Sequence, residues 1–385
     1  MNAWKLVSYL LICIFALGTV SIDAQARADQ ISDEDVIERF KISTDGDAVY
    51  LPVTIGEKTY PFLLDTGATM TAIDRQLVNG DAPLQKRLQS TNSTIEVEVF
   101  DAPSARIGSI DLRASAPRVV GLEFKRQCEI SGDECSGILG MDFLKNQIVR
   151  IDCDQGECVF LNRTQPAMGE KINLLVDRSK IPAVAVRIAR PTSEYFDIDT
   201  GSCGIRASGM LMTSLCKDLI ESGKAQIVGS TLGEDLAGIS RSGMVQCESL
   251  KLVNFAVQKP IFRTGSRTNH LSMGFMSRFI MTFDFPNERL YLRPGKSFDA
   301  PDLCDRSGLH ILRRGGKTIV HSVDQESASE VAGLREGDEI LRVGDLTASQ
   351  VRLLKLRELL CAEGQTVNVA ARREDKEFNA SLKLN

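Results

Sequence analysis

The feature that most constrains this chain is a pattern written twice. Val49 to Ile55 alternates apolar and polar residues, Gly56-Glu57-Lys58-Thr59 reads as a turn, and Tyr60 to Leu64 runs into Asp65-Thr66-Gly67. Later, Ala183 to Ile188 alternates, Pro191-Thr192-Ser193 turns, and Tyr195 to Ile198 runs into Asp199-Thr200-Gly201. Alternation at period two between turn residues is a strand signal. One Asp-Thr-Gly arises by chance in about one chain in ten of this length; two copies with matched flanks do not. Downstream, Gly140 of Ile138-Leu139-Gly140 and Gly274 of Ser272-Met273-Gly274 lie the same 75 residues beyond their aspartates. Each half then closes in a hairpin carrying an aspartate, Asp152 and Asp284. The expectation is two duplicated lobes of short strands, 41–165 and 168–296. The spacing of Met210, Leu211, Leu215, Leu219 and Ile220 predicts a helix over 209–225 that stops at Gly223, and the polar stretch 27–44 reads as an arm or linker.

Duplicated acidic loops have a chemical use. Two carboxyls about 3 Å apart cannot both ionise comfortably, so they share a proton and their apparent pKa values split. The ionised member takes a proton from water, and the protonated member hydrogen-bonds the carbonyl under attack. Gly67 and Gly201 let the loops approach without a Cβ in the way, and Thr66 and Thr200 can reach the opposite loop.

These motifs, Leu64-Asp65-Thr66-Gly67-Ala68-Thr69 and Ile198-Asp199-Thr200-Gly201-Ser202, resemble the aspartic peptidase superfamily, in its single-chain pepsin-like and retroviral-type forms. The resemblance spans about 45–295. It implies a mainly β, two-lobed acid-protease barrel fold, Asp65 and Asp199 as catalytic dyad, and the Gly140 and Gly274 segments packed behind them. It implies an endopeptidase with a peptide or protein substrate and no cofactor. The alternative is a catalytically silent, chaperone-like peptide binder on the same folds. Pepsin-like enzymes carry a flap tyrosine, whereas no tyrosine lies between Tyr60 and Tyr195. Gly229, Gly233 and Gly238 place the more mobile lid in the second lobe, over 225–243, with an ordinary surface loop as the other reading. Ser202 can donate a hydroxyl to Asp199, and Ala68 cannot do the same for Asp65, so Asp199 is expected to hold the charge and Asp65 the proton. The activity optimum should then be milder than that of a strongly acidic digestive enzyme.

Pro294-Gly295 and Pro301-Asp302 mark a boundary, and 303–385 has its own pattern. Ala332-Gly333-Leu334-Arg335-Glu336-Gly337-Asp338-Glu339-Ile340-Leu341 resembles a PDZ domain, a small α+β module. Gly308-Leu309-His310-Ile311 is similar to that family's carboxylate-binding loop, with His310 in place of a glycine. The resemblance implies a C-terminal peptide ligand added to a sheet edge, recruiting substrate or regulating the cleft. The other reading is a domain that packs on the protease and binds nothing.

Leu6 to Val20 after Lys5, with Ala24-Gln25-Ala26 beyond, reads as a signal peptide over 1–26, with an uncleaved anchor as the alternative. The expectation is export to a periplasmic or extracellular space, a bacterial envelope by resemblance, with no membrane span after cleavage. Nine cysteines then remain. Export favours disulfides, with Cys128–Cys135, Cys153–Cys158 and Cys304–Cys361 as expected neighbours and an odd thiol left over. A four-cysteine zinc site is the alternative, though no C-x-x-C occurs; no metal is expected. A net charge of −5 gives no reason to expect nucleic acid. No Gly-x-Ser-x-Gly or His-Glu-x-x-His occurs and no histidine precedes His270, which disfavours serine hydrolases and metalloproteases.

Overall fold

The computed structural model describes residues 31–78, 84–89, 94–165, 168–176, 180–235 and 238–384. The expected signal peptide lies outside them. Four sheets account for about half of the described chain. The first-lobe sheet has nine strands, and from one edge to the other they are Leu84–Gln89, Thr94–Asp101, Arg118–Leu122, Ala72–Asp74, Gly137–Leu139, Lys58–Leu64, Tyr50–Ile55, Ala105–Ile107 and Ile110–Asp111. The second-lobe sheet repeats that order strand for strand, from Ala225–Asp235 at one edge to Phe255–Gln258 at the other, with Leu175–Val176 added on Pro182–Ile188. The duplication read from the motifs is thus a duplication of topology.

A third sheet joins the lobes. Its six strands are Val36–Lys41, Glu157–Leu161, Ile148–Asp152, Phe279–Asp284, Arg289–Pro294 and Glu170–Asn173, so the two halves meet where Ile148–Asp152 pairs with Phe279–Asp284. The stretch 27–44 is therefore not simply an arm: Val36–Lys41 pairs with Glu157–Leu161, ahead of the expected lobe start at 41. A polar strand can edge this sheet because only alternate side chains face the protein, and its exposure alternates accordingly.

Period-two patterning places the core. Along Pro182–Ile188, Val184, Val186 and Ile188 point inward, while Ala185 and Arg187 are exposed. One continuous apolar core runs through both lobes and includes Phe62, Phe143, Phe160, Phe196, Phe262 and Phe283. The C-terminal module has a separate core around Leu309, Ile311, Leu356 and Val369. Its sheet runs Leu309–Arg314, Lys317–Val323, Glu339–Val343, Thr366–Arg373 and Lys376–Lys383, with the helix Leu353–Leu359 packed against it.

Two local expectations change. The helix expected over 209–225 spans only Thr213–Glu221, because Gly209–Met212 is a strand paired with Ile261–Ser266 and His270–Ser272. Strand and helix both bury Met210, Leu211, Leu215 and Leu219, so the apolar spacing alone did not divide them. The glycines at equal spacing are also not structural equivalents. Leu139 pairs with Leu64, whereas Ser272 pairs with Asp199. The Met141 N–H donates to the Ala68 carbonyl, as the Met273 N–H does to that of Ser202. The counterpart of Gly140 is thus Ser272, and Gly274 sits inside the short helix Met273–Met276. The second lobe is two residues shorter over this stretch, 73 from Asp199 to Ser272 against 75 from Asp65 to Gly140, so equal spacing from the aspartates picks the wrong residue and sheet register picks the right one.

The cysteines of the expected pairs Cys153–Cys158 and Cys304–Cys361 stand as thiols, and so does Cys135, whose N–H donates to the Cys128 sulfur at 3.3 Å. Among the described residues no helix is long and apolar enough to cross a membrane.

Candidate functional site

Each Asp-Thr-Gly loop leaves the end of a strand in the middle of its sheet, Lys58–Leu64 for Asp65 and Ser193–Asp199 for Asp199. The loops interlock through their threonines. Thr66 Oγ1 donates to the Ile198 carbonyl at 2.5 Å and accepts the Thr200 N–H at 3.1 Å. Thr200 Oγ1 donates to the Leu64 carbonyl at 2.8 Å and accepts the Thr66 N–H at 3.0 Å. Both threonines are fully buried. Each hydroxyl thus satisfies two backbone groups of the opposite loop that have no water to turn to.

This lock presses each aspartate against the glycine opposite. A Cβ on Gly67 would stand 2.6 Å from Asp199 Cγ, and one on Gly201 would stand 2.3 Å from Asp65 Cγ. No side chain fits at either position, so glycine is needed for close approach. Asp65 Oδ1 accepts the N–H groups of Gly67 (2.8 Å) and Ala68 (3.1 Å), and Asp199 Oδ1 accepts that of Ser202 (2.9 Å). Burial, and then the charge of Asp199, holds the Asp65 carboxyl well above the usual range, against the pull of the two N–H groups.

The upward shift of the Asp65 carboxyl runs in the direction of the sequence reading, but the Ser202 hydroxyl is not its cause. The Ser202 hydroxyl accepts from Arg263 Nη2 at 2.9 Å, and it is the Ser202 backbone that serves Asp199. Arg263 comes from the strand Ile261–Ser266, and its half-buried guanidinium interacts electrostatically with Asp199. Nothing in the local sequence marks it. Asp47 was missed in the same way. It is buried, accepts the Gly204 N–H at 2.7 Å, and burial pushes its carboxyl up to about 6. Cys203 sits between these groups with its thiol pushed well up, chiefly by burial. Its only sequence signal was its place directly after Ser202.

The two aspartates open into one cavity of about 460 Å³. Hairpins from both lobes contribute to its walls, with Leu88 and Ile95 from the first lobe and Thr231, Leu232 and Ser242 from the second. The tip of the first hairpin lies outside the described residues. The C-terminal module supplies a further wall, including Leu309, His310, Ile311, Leu354 and Arg357. The loop Gly308-Leu309-His310-Ile311 thus faces the cavity of the dyad. The Gly308 N–H is taken by Asp305 Oδ2 at 2.7 Å, and His310 Nε2 meets Asp324 Oδ1 at 2.7 Å.

Two lobes of one strand order that bring twin Asp-Thr-Gly loops together, followed by a module with its own core, define the class: a two-lobed aspartyl protease fold with a C-terminal PDZ domain. Comparison with known families agrees. Residues 51–143 match the aspartyl protease family and residues 299–384 match the PDZ domain family, so the chain carries both domains. No curated protein matches the chain.

Proposed function

We propose that this chain is an exported aspartic endopeptidase in which Asp65 and Asp199 activate one water between them. The observation that carries the reading is the threonine lock, which fixes two half-buried carboxyls at a cavity with room for a short peptide segment. Asp199, ionised beside Arg263, takes a proton from the water as its oxygen bonds to the scissile carbonyl carbon. Asp65 holds its proton and gives it to the carbonyl oxygen, so a neutral tetrahedral diol forms. Collapse of the diol breaks the C–N bond as the amine takes the proton held by Asp199, and a diol hydroxyl returns a proton to Asp65. Thr66, Gly67, Thr200, Gly201 and Ser202 hold this geometry and take no part in the proton transfers. The PDZ domain, as a wall of the same cavity, recruits substrate or governs access to it. Export rests on the apolar stretch Leu6–Val20, and amino-terminal sequencing of the secreted protein tests it.

The test of the chemistry is incubation of the mature chain with a peptide library, with and without pepstatin. The expected result is cleavage that pepstatin blocks and that Asp65→Asn or Asp199→Asn abolishes while the fold is retained. Cleavage that survives both substitutions would remove the dyad from the mechanism. Peptide binding without cleavage would favour the silent-binder reading.

A further inference from the structure

The edge at which a PDZ domain adds a peptide strand is already occupied in this chain. Among the described residues, Leu309–Arg314 pairs within its sheet only with Lys317–Val323. Against it lies the first-lobe helix Lys125–Ser131. Arg357, from the helix that forms the other wall of the groove, donates through Nη2 to the Ile311 carbonyl at 2.8 Å and to the Ile130 carbonyl at 2.7 Å. One guanidinium thus joins both walls of the groove to the segment lying in it. Gly132 ends that segment in the left-handed region (φ +78°), and a Cβ there would stand 2.7 Å from that of Leu353. The loop amides are also satisfied internally: Asp305 takes the N–H groups of Ser307 and Gly308, and the Ser307 hydroxyl takes that of Leu309.

Charges fasten the contact on both sides of the cleft. Arg314 meets Glu129 at 2.9 Å, and Arg352 bonds Asp133 and Asp45 and lies 3.3 Å from Asp47. Asp47 also holds the Gly204 N–H, five residues beyond Asp199, so this fastening reaches the catalytic loop. On the second lobe, Asp324 accepts from Ser230 (2.5 Å) and Arg241 (2.8 Å) of the long hairpin expected to be the lid. The fastening is polar, and the PDZ core is separate from the core the lobes share. Polar interfaces between separate cores resemble transient contacts. The connector is anchored to the second lobe as far as Leu303, whose N–H donates to the Arg206 carbonyl, and Arg306 already donates to Leu360 of the PDZ domain. Cys304 still packs with Ala207, Met244 and Ile261 of the second lobe, and Asp305 already holds the N–H groups of Ser307 and Gly308, so the passage from one body to the other falls between these two residues.

We propose that the PDZ domain is a latched roof over the cleft, held down by residues 125–133 seated in its own peptide groove, and that release of this segment admits long substrates to the dyad. The part about access rests on the peptidase reading; the part about groove occupancy does not. The test uses the full mature chain and the variants Arg352→Ala, Glu129→Arg and Glu129→Arg/Arg314→Glu. Amide hydrogen exchange reads the latch at 125–131 and 309–314, and cleavage of unfolded casein against a short fluorogenic peptide reads access. The expected result is roughly tenfold faster exchange in both segments for each single variant, with the reversed pair back near wild type. Casein cleavage should rise with exchange, while short-peptide cleavage by Glu129→Arg, which lies away from the Asp47 contact, changes less than about twofold. Unchanged exchange in both single variants would make the domain a fixed wall and overturn the proposal. Faster exchange without a gain on casein would overturn the roof. If no form of the chain cleaves either substrate, the peptidase reading fails, and exchange alone decides for or against the latch.

Discussion

Replacing Thr200 by valine tests the loop lock directly. Valine keeps the shape of threonine and removes one oxygen. That oxygen accepts the Thr66 N–H at 3.0 Å and donates to the Leu64 carbonyl at 2.8 Å, in a site with no exposure. Both backbone groups would be left buried without a partner, each at a cost of about 1–3 kcal/mol, so the lobes should lose about 2–6 kcal/mol. For a unit of this size that is a fall in Tm of roughly 5–15 °C. The loops would also loosen, and a shift of about 1 Å at the carboxyls lowers kcat by roughly a hundredfold. Thermal unfolding followed by circular dichroism measures the first effect, and cleavage of a fluorogenic peptide the second. Thr200→Ser keeps the oxygen and should recover most of both. Thr66→Val should match Thr200→Val, because its hydroxyl makes the same two bonds from the other side. The reasoning fails if Thr200→Val unfolds within about 1 °C of wild type, or if serine does no better than valine.

Gly67→Ala places a methyl 2.6 Å from Asp199 Cγ, so the carboxyl must move by nearly 1 Å; kcat should fall roughly a hundredfold and stability by about 1–3 kcal/mol, as measured by peptide cleavage and thermal unfolding. Arg278→Met strands the Asp302 carboxylate, which the guanidinium meets at 2.6 Å in a site almost closed to solvent; the expected loss is about 3–5 kcal/mol in thermal unfolding, with partial recovery when Asp302→Asn is added. Asp47 supplies a pH dependence with a definite sign. Its folded-state pKa, about 6, lies above the unfolded value of 3.8, so the folded protein binds the proton more tightly and ionisation of Asp47 costs stability as pH rises from 4 through 6. The advantage of Asp47→Asn over wild type should therefore grow by about 2–3 kcal/mol between pH 4 and pH 7, and a flat difference across that range would count against the assignment.

Much of the site was legible because its motifs are local. Asp65-Thr66-Gly67 and Asp199-Thr200-Gly201 each carry an acid, a hydroxyl and a gap within three residues, and duplication implied that they face one another. The PDZ string was legible for the same reason. The residues that tune the site were not. Arg263, Asp47 and Arg357 are ordinary charged residues in unremarkable stretches. Each matters only through a partner far along the chain: Ser202 for Arg263, Gly204 for Asp47, Ile130 for Arg357. The mismatch of Gly140 with Gly274 has a related origin, since sheet register is set by pairing across space and sequence count runs along the chain.

By itself the sequence determined the duplicated strands, the acidic loops, and the glycines and threonines that let those loops meet. These depend on dihedral freedom, side-chain alternation and functional groups a few residues apart. Only the tertiary structure decided which cation stands beside Asp199, that the two lobes share a core from which the PDZ domain is excluded, and that the helix Lys125–Ser131 lies against the PDZ strand Leu309–Arg314. Burial and charge pairing act through space, and two side chains hundreds of residues apart set each other's energy only after the chain has brought them together.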